Sequence, residues 1–464
     1  MRFLARKVKS RWRDASIIAP WHVPPGLLAA KTPFERMSCK STGGRSKGRI
    51  KLNDMKRLSM GIGFPWRPVA AFVLLFLIGG TQACSTPARM PAQPADQLTQ
   101  ATVLGIPNAR FYPDEQGAEL FEEGMLSVQR EMAALGITDP SQLPPAYYLA
   151  ISGGGGDGAF GAGLINGWTE AGTRPEFKLV TGISTGSLIA PFAFLGPDYD
   201  DDLKKVYTTI QDSDVYTERG FTAVFDNDAM LDTSLLYGLI SDIMDEDMMA
   251  GFAREYERGR LLLIASTNLD ARQTVIWNIG AIAASGQPGA LELIHKILLA
   301  SAAMPVGFPP VMFDVEVDGV AYQELHVDGG AVAQLILYPP AVGEQARAYM
   351  EQHHLTRERH AYVIRNGKLT YETTAVERST LPIAGQAVST MISSSGINDL
   401  YRVYFICQED GVDFNLAYID SDFDQPEPDV LFDKAYMNAL YDYGYNLAKT
   451  GYPWKKQPPY LSLE

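Results

Sequence analysis

Cysteine is scarce in this chain. Three residues, Cys39, Cys84 and Cys407, exclude a disulfide framework and a four-cysteine zinc site. Basic residues become scarce after the first 83 positions. Residues 84–464 hold 24 Lys and Arg against 51 Asp and Glu, a net of −27, whereas residues 1–83 hold 16 against 3, a net of +13. Duplex binding needs a cationic face to displace counterions, so the acidic body disfavours nucleic acid as the main partner. Internal repeats are absent. What is present is apolar: 46% of the 464 residues are hydrophobic and 20% are charged. Such a chain builds a large core, with length for about three domains at roughly 150 residues each.

The apolar run of residues 69–78 is ten residues long. Spanning a bilayer takes about 20, while the core of a secretory signal takes about 7–15. Arg67 precedes the run and small residues follow it. Thr81-Gln82-Ala83-Cys84 then resembles a bacterial lipoprotein box, in which the cysteine becomes the lipidated first residue. Ala83 fits that pattern, and Thr81 stands where it usually has Leu. The expected organisation is a basic leader over 1–59, read as an over-extended gene start with Met55 or Met60 as the natural one. A signal peptide over 60–83, a flexible tether over 84–110, a catalytic domain over 111–370 and a mostly helical region over 371–464 follow. A plain signal peptide, a core segment and a basic arm touching nucleic acid or anionic lipid are the alternatives for this front end.

Beyond the tether the pattern alternates. Apolar spacings of three and four predict a helix over 114–135. A short strand at 147–152, a glycine loop at 153–158, a helix from Ala159 to Ala171, a strand at 177–181 and a helix at 187–195 then form a βαβ unit. Such a unit implies a parallel sheet covered by helices. Strands are expected at 260–266, 273–277, 311–317, 321–327, 361–365 and 414–419, with a hairpin turn at Asp318-Gly319. Helices are expected at 291–303 and 340–354. The fold class expected is α/β, a three-layer α/β/α sandwich with a mainly parallel central sheet and a mostly helical C-terminal extension.

The sharpest chemical signal is Gly182-Ile183-Ser184-Thr185-Gly186, between a strand and a helix. A serine on that turn has an exposed hydroxyl, glycines beside it and a helix N-terminus behind it. About 30 residues earlier stands Gly153-Gly154-Gly155-Gly156-Asp157-Gly158, at the end of the neighbouring strand. Acyl transfer develops an oxyanion, and backbone N–H groups reach it most readily where no Cβ intervenes. One βαβ unit places both loops at the same end of adjacent strands. The same run also reads as a dinucleotide fingerprint, Gly156-x-Gly158-x-x-Gly161, but Glu176 precedes the second strand instead of ending it. Asp328-Gly329-Gly330 follows a third strand and offers a carboxylate; standing alone it reads as an ordinary turn aspartate.

These three sites, in this order, resemble the patatin-like phospholipase family. The segments Ala300-Ser-Ala-Ala-Met-Pro305, Phe308-Pro-Pro310 and Thr267-Asn268-Leu269-Asp270 add to the likeness, which covers about residues 145–335. The resemblance implies Ser184 as nucleophile and Asp328 as base without a catalytic histidine. It also implies Gly153, Gly154, Gly155, Gly156, Asp157 and Gly158 as the oxyanion loop, with Gly182 and Gly186 shaping the nucleophile turn. Asp157 departs from the family, which often has Arg or Lys there. It is expected to turn outward or to cap the helix beginning at Ala159. An aspartate in water is too weak a base for an alcohol, so this dyad needs a dry site that raises the carboxyl pKa.

Six histidines remain to be placed. His22 lies in the leader, and His295 reads as core or surface. His326 reads as a packed strand residue two positions before Asp328. His353, His354 and His360 follow Asp328 and permit a Ser-His-Asp esterase. Asp420, Asp422 and Asp424 resemble half a calcium loop, but Gln425 and Leu431 occupy the positions of its Gly and Glu. Asp198–Asp202 reads as a solvated helix start, Cys407 as a buried thiol, and residues 221–240 as either an interfacial lid or a core helix. The expectation is an exported, lipid-anchored acyl hydrolase of the cell envelope, acting on membrane lipid esters without metal or cofactor. A non-catalytic envelope lipoprotein of the same fold is the remaining alternative.

Overall fold

The computed structural model describes residues 88–220, 227–370, 375–426, 428, 430–459 and 461. The leader, the signal segment and Cys84 lie outside the described residues, as do the first six positions of the expected lid segment.

Nine strands form one sheet. They are β1 (Arg110–Phe111), β2 (Ala146–Ile151), β3 (Leu179–Ile183), β4 (Leu261–Asn268), β5 (Gln273–Asn278), β6 (Val311–Val317), β7 (Val320–Asp328), β8 (Arg359–Lys368) and β9 (Asp413–Ile419). The order across the sheet is β1-β5-β4-β3-β2-β8-β9, with β7 paired to β4 and β6 to β7. The five strands β4, β3, β2, β8 and β9 run parallel, and β1, β5 and β7 attach antiparallel.

Successive residues of a strand point to opposite faces, and here both faces are covered. Leu149, Val180, Ile264 and Ile364 enter one apolar cluster, while Ala150, Leu179, Leu263 and Val363 enter clusters on the other side. That is why these strands read as continuous apolar runs. Eight helices matter for the site: α1 (Gly117–Leu135), α2 (Gly158–Glu170), α3 (Thr185–Leu195), α4 (Ser234–Ile243), α5 (Ala290–Ser301), α6 (Pro340–Gln352), α7 (Thr380–Asp410) and α8 (Lys434–Lys449). Phe160, Ile189, Ile294 and Leu440 bring α2, α3, α5 and α8 to the first face; Leu120 and Leu400 bring α1 and α7 to the second. The result is the three-layer α/β/α arrangement.

The region after residue 370 is mostly helical, and it is joined to the sheet. Its strand β9 pairs parallel with β8 along Ala361↔Phe414 and Val363↔Leu416. Its helix α8 lies against α2 at backbone distance. A Cβ on Gly163 would meet the Tyr441 carbonyl at 2.0 Å and one on Gly167 the Tyr445 carbonyl at 2.2 Å. The boundary expected at residue 371 therefore separates sequence stretches but not packed bodies. Among the described residues no helix is long and apolar enough to cross a membrane.

Candidate active site

Ser184 sits between the end of β3 and the first turn of α3 with φ 55° and ψ −128°. A non-glycine residue in that conformation stores about 1–3 kcal/mol of strain and persists only where its surroundings fix it. They do. The Ser184 N–H donates to Ser301 Oγ at 3.1 Å, and that hydroxyl donates to the Ala265 carbonyl at 2.7 Å. The Ser184 carbonyl accepts from Ser187 Oγ at 2.6 Å and from Ser187 N–H at 2.9 Å. Gly182 and Gly186 flank the turn, and a Cβ on Gly186 would stand 2.3 Å from the Ile151 carbonyl. The Ser184 hydroxyl makes no capping bond to the helix that it heads.

Asp328 arrives from the opposite direction. Strand β7 runs antiparallel to β4 and pairs Asp328 with Ser266, while β3 pairs Ile183 with Ala265. The ends of β3 and β7 thus meet along one edge of β4, whose other edge holds β5. The Ser184 side chain is near enough to Asp328 to pull its carboxyl pKa down, and Asp328 Oδ1 accepts from the Gly330 N–H at 2.7 Å. Burial raises the Asp328 carboxyl to about 6, against the Ser184 side chain and the Gly330 N–H, which pull it down. No cation is among the groups that shift it.

The glycine loop lies beside them. A Cβ on Gly153 would stand 3.0 Å from Ser184 Cβ and 2.5 Å from Gln334 Oε1, so the approach requires glycine. Of the six residues expected to form the oxyanion loop, Gly154, Gly155, Gly156 and Asp157 line the cavity. The N–H of Gly153 is committed to the Gln334 carbonyl, that of Asp157 to Gly154 and that of Gly158 to Gly155 and Gly156. This narrows the donors facing the cavity to three glycines. Asp157 makes no capping bond; its Oδ1 accepts from the Tyr436 hydroxyl at 3.0 Å. Its charge also faces Arg365.

Arg365 and Asn366, at the end of β8, escaped the sequence reading. Register places Ile364 beside Ile151, so the next two residues reach the loop. Arg365 Nη1 donates to Ser152 Oγ and to the Gly153 carbonyl, each at 3.1 Å, and Asn366 Nδ2 donates to the Ser152 carbonyl at 2.9 Å. Two carbonyls at the start of the loop are thereby satisfied. Arg365 is buried, which lowers its pKa against the raising effect of Asp157 and Asp399. Ser301, Gln334 and Tyr436 were missed for the same reason, since their roles arise from contacts distant in sequence.

The cavity holds about 1350 Å³ and opens over Ser184 and Asp328. Leu188, Phe192, Val206, Ile210, Leu236 and Ile240 give it an apolar wall. No described histidine lines it. His326 is fully buried between Ser266 Oγ at 2.8 Å and Glu324 at 3.0 Å. His295 bonds the Met244 carbonyl, His353 bonds the Tyr349 carbonyl, and His360 lies between Glu358 and Asp413. Glu176 is an exposed partner of Arg258, and Asp422 accepts from the Tyr443 hydroxyl. Cys407 is a buried free thiol pushed up to about 12 by burial. The described part of the expected lid segment, residues 227–240, runs into α4, which walls the cavity through Leu236, Leu239 and Ile240.

Residues 149–339 match the family model of the patatin-like phospholipases. Among solved structures, VipD from Legionella pneumophila is similar over 67% of this chain and 68% of its own, at 12% identity and a TM-score of 0.31. Human GIVD cytosolic phospholipase A2 is similar over 78% of this chain and 65% of its own, at 11% identity and a TM-score of 0.31. The chain thus spans just under two thirds of the human neighbour. No curated protein matches the sequence.

Proposed function

Since residues 149–339 match the patatin-like phospholipase model, we propose that the protein is a serine acyl hydrolase of the phospholipase A type, working through Ser184 and Asp328. The family match supports lipid acyl hydrolysis. The observation that carries the finer reading is that Ser184 and the buried Asp328 carboxyl, raised to about 6, line one cavity.

In this mechanism Ser184 Oγ attacks the ester carbonyl carbon while its proton moves to Asp328. The carbonyl oxygen takes the electron pair and becomes an oxyanion, held by the amides of Gly154, Gly155 and Gly156. One lost donor of that kind costs about 2.7–4 kcal/mol. Collapse breaks the ester C–O bond and Asp328 returns its proton to the departing alcohol. Asp328 then takes a proton from water as it attacks the acyl-enzyme, and Ser184 is regenerated. The apolar wall receives the acyl chain, and the substrate is a membrane lipid or another acyl ester.

We also propose export, with Cys84 as the lipidated residue of an envelope protein; the mass of the mature N-terminus tests it. The catalytic reading is tested by labelling with a fluorophosphonate and by hydrolysis of a panel of lipids. Label confined to Ser184, and turnover lost in Ser184→Ala, is the expected result. Folded protein that takes no label at Ser184 would instead be a non-catalytic lipoprotein.

A further inference from the structure

Helix α7 is divided. Its second half is packed on the sheet through Leu400, Val403 and Cys407. Its first half extends past that contact for about 24 Å at 1.5 Å per residue. Residues 379–398 contain no Asp, Glu, Lys, Arg or His. Neutral runs of 19 residues at 179–197 and 273–291 are mostly buried, whereas this one is mostly exposed. One stripe of this half, Ala384, Val388 and Ile392 with their neighbours, walls the catalytic cavity. Ile383 and Met391, eight residues and about 80° apart around the helix, are 51% and 63% exposed.

The same cavity mouth exposes apolar groups from other elements. Val306 is 68% exposed, and Val430 and Leu431 are 47% and 41% exposed; all three line the cavity. Scattered exposed apolar residues need no explanation, but several ringing one opening mark a contact surface. We propose that the uncharged half of α7, together with Val306 and Val430–Leu431, docks the protein on a zwitterionic or neutral lipid surface. The proposal rests on the hydrolase reading, because it supplies the route by which an acyl chain passes from a bilayer into the cavity.

Charge and composition select this occupant. The acidic body is repelled by an anionic surface and by a second copy of itself, whereas a neutral stretch on a neutral surface meets no such cost. Protein-binding patches are enriched in aromatic residues and Arg, and residues 379–398 contain neither. A chain segment lying over the rim would close the entrance that the substrate needs.

The test uses the full chain carrying Ser184→Ala, so that vesicles stay intact, and compares it with Ile383→Glu/Met391→Glu added. Co-sedimentation with phosphatidylcholine vesicles is expected to fall at least about tenfold. Conservative Ile383→Leu/Met391→Leu keeps the partition, and phosphatidylglycerol mixed into the vesicles weakens it. With Ser184 intact, the double Glu variant hydrolyses a soluble short-chain ester as the parent does. Unchanged partition in the double Glu variant would overturn the proposal, because another segment then holds the vesicle. A wild-type preference for anionic vesicles would overturn it too, as would a dimer that dissociates in the double variant while partition stays the same. A parent protein without soluble-ester turnover would refute the hydrolase reading and leave the partition result standing.

Discussion

Glu324 and Asp328 stand four residues apart on β7, and both are buried, yet their carboxyls are driven in opposite directions. Burial raises each. At Glu324 that effect is overcome by the Arg110 guanidinium and the His326 ring, which hold the carboxyl near 2. Arg110 grips both oxygens of Glu324 and Tyr112 adds a hydroxyl at 3.2 Å. At Asp328 only a serine hydroxyl and one amide oppose burial, and the carboxyl settles near 6. The difference is one cation. With it, the carboxylate is a permanently charged strut in the core. Without it, the carboxylate can take and return a proton.

The largest effect expected comes from removing the unpaired carboxyl. Asp328→Asn should lower ester turnover at least about 10⁴-fold, the scale seen when the aspartate of a Ser-His-Asp triad becomes asparagine. The same change should stabilise the protein. A carboxyl raised from 3.8 to about 6 binds more protons folded than unfolded between those values, so stability falls as pH rises through that window. The cost corresponds to roughly 3 kcal/mol above pH 6 and vanishes below about pH 4. Urea unfolding of Asp328→Asn at both ends of the range measures it.

Glu324→Gln should do the reverse. It strands the Arg110 charge in the core, a loss of about 3–5 kcal/mol. Because the Glu324 carboxyl is depressed from 4.5 to about 2, that loss is full above about pH 4.5 and shrinks as pH falls toward 2. Turnover per folded molecule should change little. If denaturation shows no loss, the strut role is wrong.

Arg365→Met is expected to have a smaller effect. It removes the bond to the Gly153 carbonyl and the positive charge that faces Asp157 and Asp399. Turnover should fall roughly tenfold to a hundredfold with little change in KM, as for a misaligned oxyanion donor. Arg365→Lys should restore part of it, because a single nitrogen, Nη1, makes the bonds to both Ser152 and Gly153, and an ammonium carries three donors. A change confined to KM would place Arg365 in substrate binding instead.

Much of this was readable in the amino-acid order, for definite reasons. Strands such as β3 and β4 are buried on both faces, so their residues are apolar without interruption. Ser184 announces itself because a strand, a tight turn and a helix must follow one another there, and Asp328 because glycines crowd the carboxyl at the end of a strand. The hairpin at 311–328 and the βαβ unit are local in the chain. Arg365, Asn366, Ser301 and Tyr436 were not readable, because each owes its role to register or packing between segments more than 100 residues apart. The contrast between Glu324 and Asp328 was hidden for the same reason: Arg110 comes from β1, more than 200 residues earlier. The path of β9 into the sheet also required the pairing with β8, since its sequence names no neighbour.

One rate decides whether the cation-free carboxyl is the base. The second-order rate of fluorophosphonate labelling at Ser184, followed against pH, should rise to half its maximum near pH 6 in the parent protein. In Asp328→Asn it should be low and flat. A rate that keeps its full size and pH profile in Asp328→Asn would contradict the account.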